Sequence, residues 1–233
     1  QPTGAPTVIT ELTFTPTPPA QPPAGDLACF GTNSGIACLG ADGWQTFTSD
    51  NSSLPAGSFD DIESCPGGRV AAVHSTGVAI YDGKSWQNYT GKSGMLIGAS
   101  AVACDAQGFW LSYMQGVVHY DGSQYTEYDA QTIDSEASSI FEDIALAPDG
   151  TVWAITSSTV SKFDGKAWTT YKQGQGFNES FYFSHIIVDA NGTPWVSQPN
   201  NALILHRIEV YTKSETVSPD YPNPDLLPFP LLM

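Results

Sequence analysis

Short apolar runs separated by turn residues fill most of the chain, and their alternation has the period of two that marks half-buried strands rather than the 3.6 spacing of helices. Laid under one another, four segments share one plan. Residues 59–83 read FDDIESCPGGRVAAVHSTGVAIYDG, 99–122 ASAVACDAQGFWLSYMQGVVHYDG, 141–165 FEDIALAPDGTVWAITSSTVSKFDG, and 183–206 FSHIIVDANGTPWVSQPNNALILH. Each supplies an apolar run, a turn carrying Gly68, Gly108, Gly150 or Gly192, a second run, another turn, and a third run. A fourth short run follows the Asp-Gly pair, giving four antiparallel strands and three hairpins per copy. The pattern predicts strands throughout and almost no helix.

The phrase closing each copy sets the period. It reads YDGKSWQNY at 81–89, YDGSQYTEY at 120–128, FDGKAWTTY at 163–171 and a clipped ADGWQTF at 41–47. Its Asp falls at positions 42, 82, 121 and 164, steps of 40, 39 and 43 residues, the length of one propeller blade. The expected fold is all-β, a β-propeller of about five four-stranded blades with atypical terminal blades. The first copy, PAGDLACFGTNSGIACL at 23–39, lacks an inner strand; the fifth lacks its Asp-Gly turn, and residues 207–211 are expected as its outer strand. Asp-Gly and Asn-Gly are read as two-residue hairpin turns, whose φ > 0 positions these residues tolerate. All six Trp obey the repeat: Trp110, Trp153 and Trp195 share one place and Trp44, Trp86 and Trp168 another. They are expected to fill the space between adjacent sheets, with Tyr89, Tyr128, Tyr171 and Phe47 beside them.

The ends differ in kind. Residues 1–26 contain TPTPPAQPPAG, a Pro/Thr-rich run that favours extended chain and reads as a stalk. Within it, 7–14 (TVITELTF) is a candidate strand that pairs either with the chain's own first blade or with another molecule. The propeller is expected over 27–215. Residues 216–233 form an apolar, Pro-broken, extended tail whose Leu, Phe and Met need cover.

Charge narrows the partners. With Lys+Arg 8 against Asp+Glu 24 the net charge is −16, so the protein's field opposes nucleic acid and anionic membranes, which are poor partners. No apolar run is long enough to span a bilayer. The chain begins at Gln1 rather than Met, which fits removal of an export signal. Partners are expected to be other protein chains, copies of itself included, through the two tails.

Candidate chemistry is sparse. Asp60, Asp61, Glu142, Asp143 and His185 sit where inner strands start, which in a propeller is one mouth of the channel. Clustered there they suit a hard cation such as Ca²⁺ or a cationic ligand; the competing reading has them capping loops in water. Asp105, Asp149, Asp189 and Asn191 lie in turns without the D-x-D-x-D-G spacing of a calcium loop, and are read as turn formers. His119 stands where the previous copy has Ile80, and reads as a packed, hydrogen-bonded residue. No G-x-S-x-G phrase or zinc-type cysteine spacing occurs, and no catalytic residue, metal ligand or cofactor is assigned. Cys29 and Cys38 fall opposite each other across the turn at 32–35, and Cys65 and Cys104 occupy nearly the same place in adjacent copies; both pairs are disulfide candidates, which an oxidising compartment favours. Asn51, Asn88, Asn178 and Asn191 open Asn-x-Ser/Thr phrases and are glycosylation candidates where the source is competent.

The phrase IIVDANGTPWV at 186–196, with Gly77-Val78 and Gly116-Val117 ahead of the YDG motifs, resembles the two-component regulator propeller repeat of periplasmic sensor regions. The resemblance spans roughly 27–211. It implies an extracytoplasmic propeller used for ligand or protein recognition, and the chain is expected to be non-enzymatic and secreted or at the cell surface. The repeats are distantly similar to those of streptogramin lyase, whose His-and-metal centre finds no counterpart motif here. A third comparison, by size and blade count, is with five-bladed sugar-binding lectins. The loops HSTG, YMQG, TSST and QPNN differ from copy to copy, which counts against repeated sugar sites. The expected function is a protein-binding or assembly module, with a sugar- or small-ligand-binding propeller as the alternative and a lyase or hydrolase behind both.

Overall fold

The computed structural model describes residues 28–40, 42–90, 96–134, 140–172, 182–197 and 205–207. The expected stalk at 1–26, its strand at 7–14 and the tail at 216–233 lie outside the described residues. The chain divides into two compact units, Gln1–Ile97 and Gly98–Met233.

The first unit holds two antiparallel meanders. Sheet 1 runs β1 (Ala28–Thr32), β2 (Gly35–Gly40) and β3 (Gly43–Thr48), and sheet 2 runs β4 (Phe59–Cys65), β5 (Arg69–His74), β6 (Gly77–Tyr81) and β7 (Trp86–Tyr89). Three more make up the second unit. Sheet 3 is β8 (Ala99–Cys104), β9 (Phe109–Tyr113), β10 (Gly116–Tyr120) and β11 (Tyr125–Asp129), and sheet 4 is β12 (Phe141–Leu146), β13 (Val152–Thr156), β14 (Val160–Phe163) and β15 (Trp168–Tyr171). Sheet 5 has three described strands, β16 (His185–Val188), β17 (Pro194–Ser197) and β18 (Leu205–Arg207). The fold is therefore all-β, five antiparallel sheets that are mostly four-stranded.

Sheets pack face to face through the residues that alternation points inward. Ile36 and Cys38, with Cys29 and Phe47, meet Val70, Ala72, Ala79, Tyr81 and Trp86. In the second unit Ala103, Trp110, Val117 and Tyr128 of sheet 3 meet Ile144, Val152, Ala154 and Phe163 of sheet 4. Sheet 4 in turn sets Trp153, Ile155, Val160 and Tyr171 against Ile186 and Val196 of sheet 5. Each interface thus sets aromatic rings among β-branched residues and Ala.

Four details depart from the sequence reading. The Asp-Gly pairs of sheets 2, 3 and 4 are not two-residue turns: Tyr81 pairs with Trp86, Tyr120 with Tyr125 and Phe163 with Trp168, leaving four-residue loops. The reason lies in the Asp side chain. Asp82 Oδ1 accepts hydrogen bonds from the N–H groups of Lys84 and Ser85 at 2.8 Å, and Asp121 and Asp164 repeat the arrangement, so the carboxylate closes a wider loop than backbone bonding alone. Asn191 and Gly192 likewise fall inside the longer connection between Val188 and Pro194. Arg207 pairs with Trp195 and so belongs to the third strand of sheet 5 rather than to an outer one; residues 208–211 lie outside the described set.

A one-turn helix, α1 (Ala130–Ile133), follows β11, where Asp129 accepts a hydrogen bond from Thr132 N at 2.7 Å as its N-cap and Ile133 enters the core between sheets 3 and 4. Finally, Trp44 does not fill space between sheets. It is 55% exposed, whereas its counterpart Trp86 is 4% exposed, because Leu39 and Trp44 lie on the face of sheet 1 turned away from the core shared with sheet 2.

Candidate functional site

The inner strands β4, β8 and β12 each open with a register shift that leaves Asp60, Ser100 and Glu142 as extra residues. A bulge of this kind re-aims the strand's first side chains. Opposite the start of each inner strand stands the end of a second strand: His74 faces Phe59, Tyr113 faces Ala99, Thr156 faces Phe141 and Ser197 faces His185. Buried polar side chains recur at this end of the sheets: His74, Ser112, Thr156 and Ser197 are all buried.

In the first unit Asp60 is exposed and Asp61 half-buried. His74 Nδ1 takes hydrogen bonds from the N–H and hydroxyl of Thr76, at 3.3 and 3.0 Å, while its buried Nε2 has no hydrogen-bond partner among the described residues. Burial holds the His74 pKa below its ordinary value, against the pull of the Asp60 charge.

In the second unit Asp143 accepts hydrogen bonds from Ile144 N (2.7 Å) and from Ile186 N (2.9 Å), tying sheet 4 to sheet 5. His185 is exposed, and its Nδ1 lies 3.5 Å from Asp143 Oδ2. Glu142 is half-buried. Asp143 and His185 therefore come together as a pair, with the carboxylate engaged by backbone. Among the described residues no three His, Cys, Asp or Glu side chains assemble into a group that could hold a metal ion. Close by, Tyr113 donates to Glu127, and burial, reinforced by that carboxylate, pushes its phenol well above the usual range. Ser112 Oγ accepts from Ala101 N at 3.1 Å, satisfying the backbone next to the bulge.

At the opposite sheet end, carboxylates serve turns. Asp149 accepts from Thr151 N, and Asp189 from Asn191 N and Thr193 N, each at 2.9 Å, with Asp189 also taking the indole N–H of Trp195 at 3.1 Å. Backbone hydrogen bonds from Thr151 and Thr193 are the leading causes that hold these two acids below the usual carboxylate range. Burial opposes the charge on Asp105, but N–H groups of Gly108 and Gln107 together with His119 more than offset it. His119 Nε2 lies 2.9 Å from Asp105 Oδ2, and its ring stacks on Trp110 at 4.0 Å between centroids.

All four cysteines are disulfide-bonded; Cys29 and Cys38 join directly across the β1–β2 hairpin, and Cys65 and Cys104 close their inner strands. Of the sequons, Asn51 spends its side chain on its own loop, accepting from Thr48 N at 2.8 Å and donating to Thr46 O at 2.9 Å. Asn88 donates to Ser53 O and Asn191 is exposed in its turn; Asn178 lies outside the described residues.

Alternation alone did not reveal the exposed apolar residues. Met114, Ile140 and Tyr182 are exposed at the inner-strand-start end of sheets 3, 4 and 5. Phe30 and Trp44 pair on sheet 1 with ring centroids 5.9 Å apart. The signal for Phe30 was a large ring at a place where sheets 2 and 4 carry Ala72 and Ala154.

No family model matches the chain, and no curated protein matches its sequence. Solved structures share the fold. The extracellular domain of the hybrid two component system BT3049 from B. thetaiotaomicron is 18% identical with a TM-score of 0.58, over 76% of this chain and 26% of that one. YCF48 bound to D1 peptide is 14% identical with a TM-score of 0.53, over 77% and 59%. Virginiamycin B lyase from Staphylococcus aureus is 12% identical with a TM-score of 0.55, over 78% and 64%. The chain spans about a quarter of the length of the sensor domain, and its neighbours are of propeller type, so the likeness to sensor propellers is one of fold.

Proposed function

We propose that this chain is a non-enzymatic, extracytoplasmic propeller module that binds other protein chains. The observation that carries the reading is the exposure of Met114, Ile140 and Tyr182 at one end of three successive sheets. Large apolar and aromatic side chains held out at loop tips by a rigid scaffold are the raw material of protein-binding surfaces. Oxidised cysteines support an extracytoplasmic location. Engagement of Asp143 by two backbone N–H groups, and of the turn acids by their own loops, supports a scaffold role for these groups over acid–base work. Among the neighbours, YCF48 was solved with a bound peptide, which is the same class of ligand. In this reading 1–26 is a stalk and 216–233 a further contact with protein.

The test is selection of a displayed random-peptide library on the full chain, with affinities of the selected peptides measured by titration calorimetry and a glycan array run in parallel. Peptides that bind the parent and lose at least about tenfold in affinity, the loss expected of an interface anchor, in Met114→Glu or Tyr182→Glu support the reading. Glycan binding without peptide binding, or peptide binding indifferent to both changes, overturns it.

A further inference from the structure

Within each unit the faces that neighbouring sheets share follow a positional rule, and the outer faces of sheets 1 and 5 depart from it. On the face sheet 2 turns toward sheet 1, register places Val70, Ala72, Ala79, Tyr81 and Trp86 together, and all five are buried. The same places in sheet 4, Val152, Ala154 and Phe163, are buried against sheet 3. In sheet 1 those places are Ala28, Phe30, Ala37, Leu39 and Trp44, yet Phe30 is 57% exposed and Trp44 55%.

The face turned toward a successor behaves in mirror fashion. Trp110 and Trp153 are buried there, 5% and 3% exposed, with Ala103 and Ala145 packed beside them. In sheet 5 the corresponding pair is Ile187 and Trp195; Ile187 is 55% exposed and Trp195 half-buried. The outer face of sheet 1 is also free of acid. Ala28, Phe30, Thr32, Gly35, Ala37, Leu39, Trp44, Thr46 and Thr48 make up the outer face of sheet 1, with no charged residue in a chain of net charge −16. His185, Ile187, Trp195 and Ser197 line the corresponding part of sheet 5, where Asp189 accepts the indole N–H of Trp195 at 3.1 Å.

We infer that these two faces are a complementary docking pair: the outer face of sheet 5 on one copy receives the outer face of sheet 1 on a second copy, head to tail. The occupant follows from the interfaces inside the chain. What covers the Val–Ala–Tyr–Trp face of sheet 2 or the Val–Ala–Phe face of sheet 4 is the Trp- or Phe-bearing face of another sheet of the same repeat, and sheet 5 carries one such face with its Trp195 unmatched. A heterologous contact of this kind uses different patches on the two partners and does not close on itself in a dimer. The inference specifies a partner and surface for the protein-binding role proposed above, on which it rests, but uses none of the residues that carried that role.

The contact is tested on the full chain by sedimentation velocity over a rising concentration series, with Trp44→Asp and Ile187→Asp made singly. Both side chains are exposed, so each variant is expected to keep the parent's circular dichroism and melting profile. The parent should form species of two chains and larger. Each variant alone should sediment as a monomer, while an equimolar mixture should give a dimer that grows no further, because one intact face remains on each partner. A monomeric parent, a mixture that stays monomeric, or variants that assemble as the parent does each overturn the inference. Loss of assembly on deleting 1–26 or 216–233, with both point variants still assembling, would also overturn it while leaving the protein-binding reading standing, since Met114 and Tyr182 are untouched.

Discussion

His74 shows how one buried side chain sets a pH limit. Its Nδ1 is satisfied by Thr76, its buried Nε2 has no partner among the described residues, and burial depresses its pKa from 6.5 in spite of Asp60. The folded state therefore keeps the ring neutral where the unfolded chain begins to bind a proton. Stability is complete above about pH 6.5, and it is lost as pH falls from that value toward the lower folded pKa, with a slope of at most one proton, about 1.4 kcal/mol per pH unit. Urea midpoints measured between about pH 7.5 and 5.5 should fall for the parent and stay nearly level for His74→Gln, which cannot titrate. An equal fall in both would remove His74 as the cause. The sequence put a histidine at the end of this strand but not its burial, since the same place holds Tyr113, Thr156 and Ser197 in the other sheets and no polarity pattern links them. The turn carboxylates were easier to read. Asp105, Asp149 and Asp189 follow apolar runs and precede Gly by one to three positions, and that local order is what an Asp needs to cap its own loop.

Elements repeat because two kinds of glycine recur, and they constrain the chain differently. Gly77 opens β6 at φ +148, where an added Cβ would stand 2.1 Å from Tyr89 O; Gly83 sits at φ +91 in an open loop with nothing within 4 Å. Only the first is crowded by a neighbouring strand. Gly83→Ala carries the left-handed penalty alone, about 1–2 kcal/mol, whereas Gly77→Ala adds an overlap with β7 that forces the hairpin open, for a total of about 3 kcal/mol or more. Chemical denaturation of the two variants should give that order, and equal losses would mean that β6 and β7 do not approach so closely. Sheet 4 shows the alternative solution. Thr159 stands where Gly77 does, in a four-residue loop whose Ser158 and Thr159 N–H groups are capped by Thr156 Oγ1 at 3.3 and 3.0 Å. The strands themselves were legible: period, alternation and the Cys29–Cys38 pairing all follow from local sequence. Loop lengths at Asp82, Asp121 and Asp164 were not, because the same Asp-Gly dipeptide fits a two-residue turn and a four-residue loop, and only the carboxylate's bonds to the third and fourth residues decide.

At the scale of the molecule, the repeat specified what each position is for but not whether a neighbour is present to meet it, and Trp44 was misjudged for that reason. Its place in the phrase matches Trp86, yet a side chain is buried only if a sheet lies over it. The same consideration fixes how association must respond to salt. Each copy carries a net charge of −16, while the outer face of sheet 1 carries no acid and the one carboxylate against Trp195 on sheet 5, Asp189, is engaged by that indole and its own loop, so bringing copies together gains apolar burial at the contact and loses to repulsion between the rest of the two surfaces. Repulsion at that range is screened once the Debye length drops from about 20–30 Å near 0.02 M salt to about 6 Å near 0.3 M, and the apolar gain is not. Association should therefore tighten as sodium chloride rises over that interval, visible as a shift of the sedimentation distribution toward larger species at fixed protein concentration. A contact built on opposite charges would respond with the opposite sign, since salt would weaken the attraction that formed it. Dissociation on adding salt would thus place the contact on charged residues and away from Phe30, Trp44, Ile187 and Trp195, whereas tightening that disappears in Trp44→Asp would tie the salt response to the outer face of sheet 1.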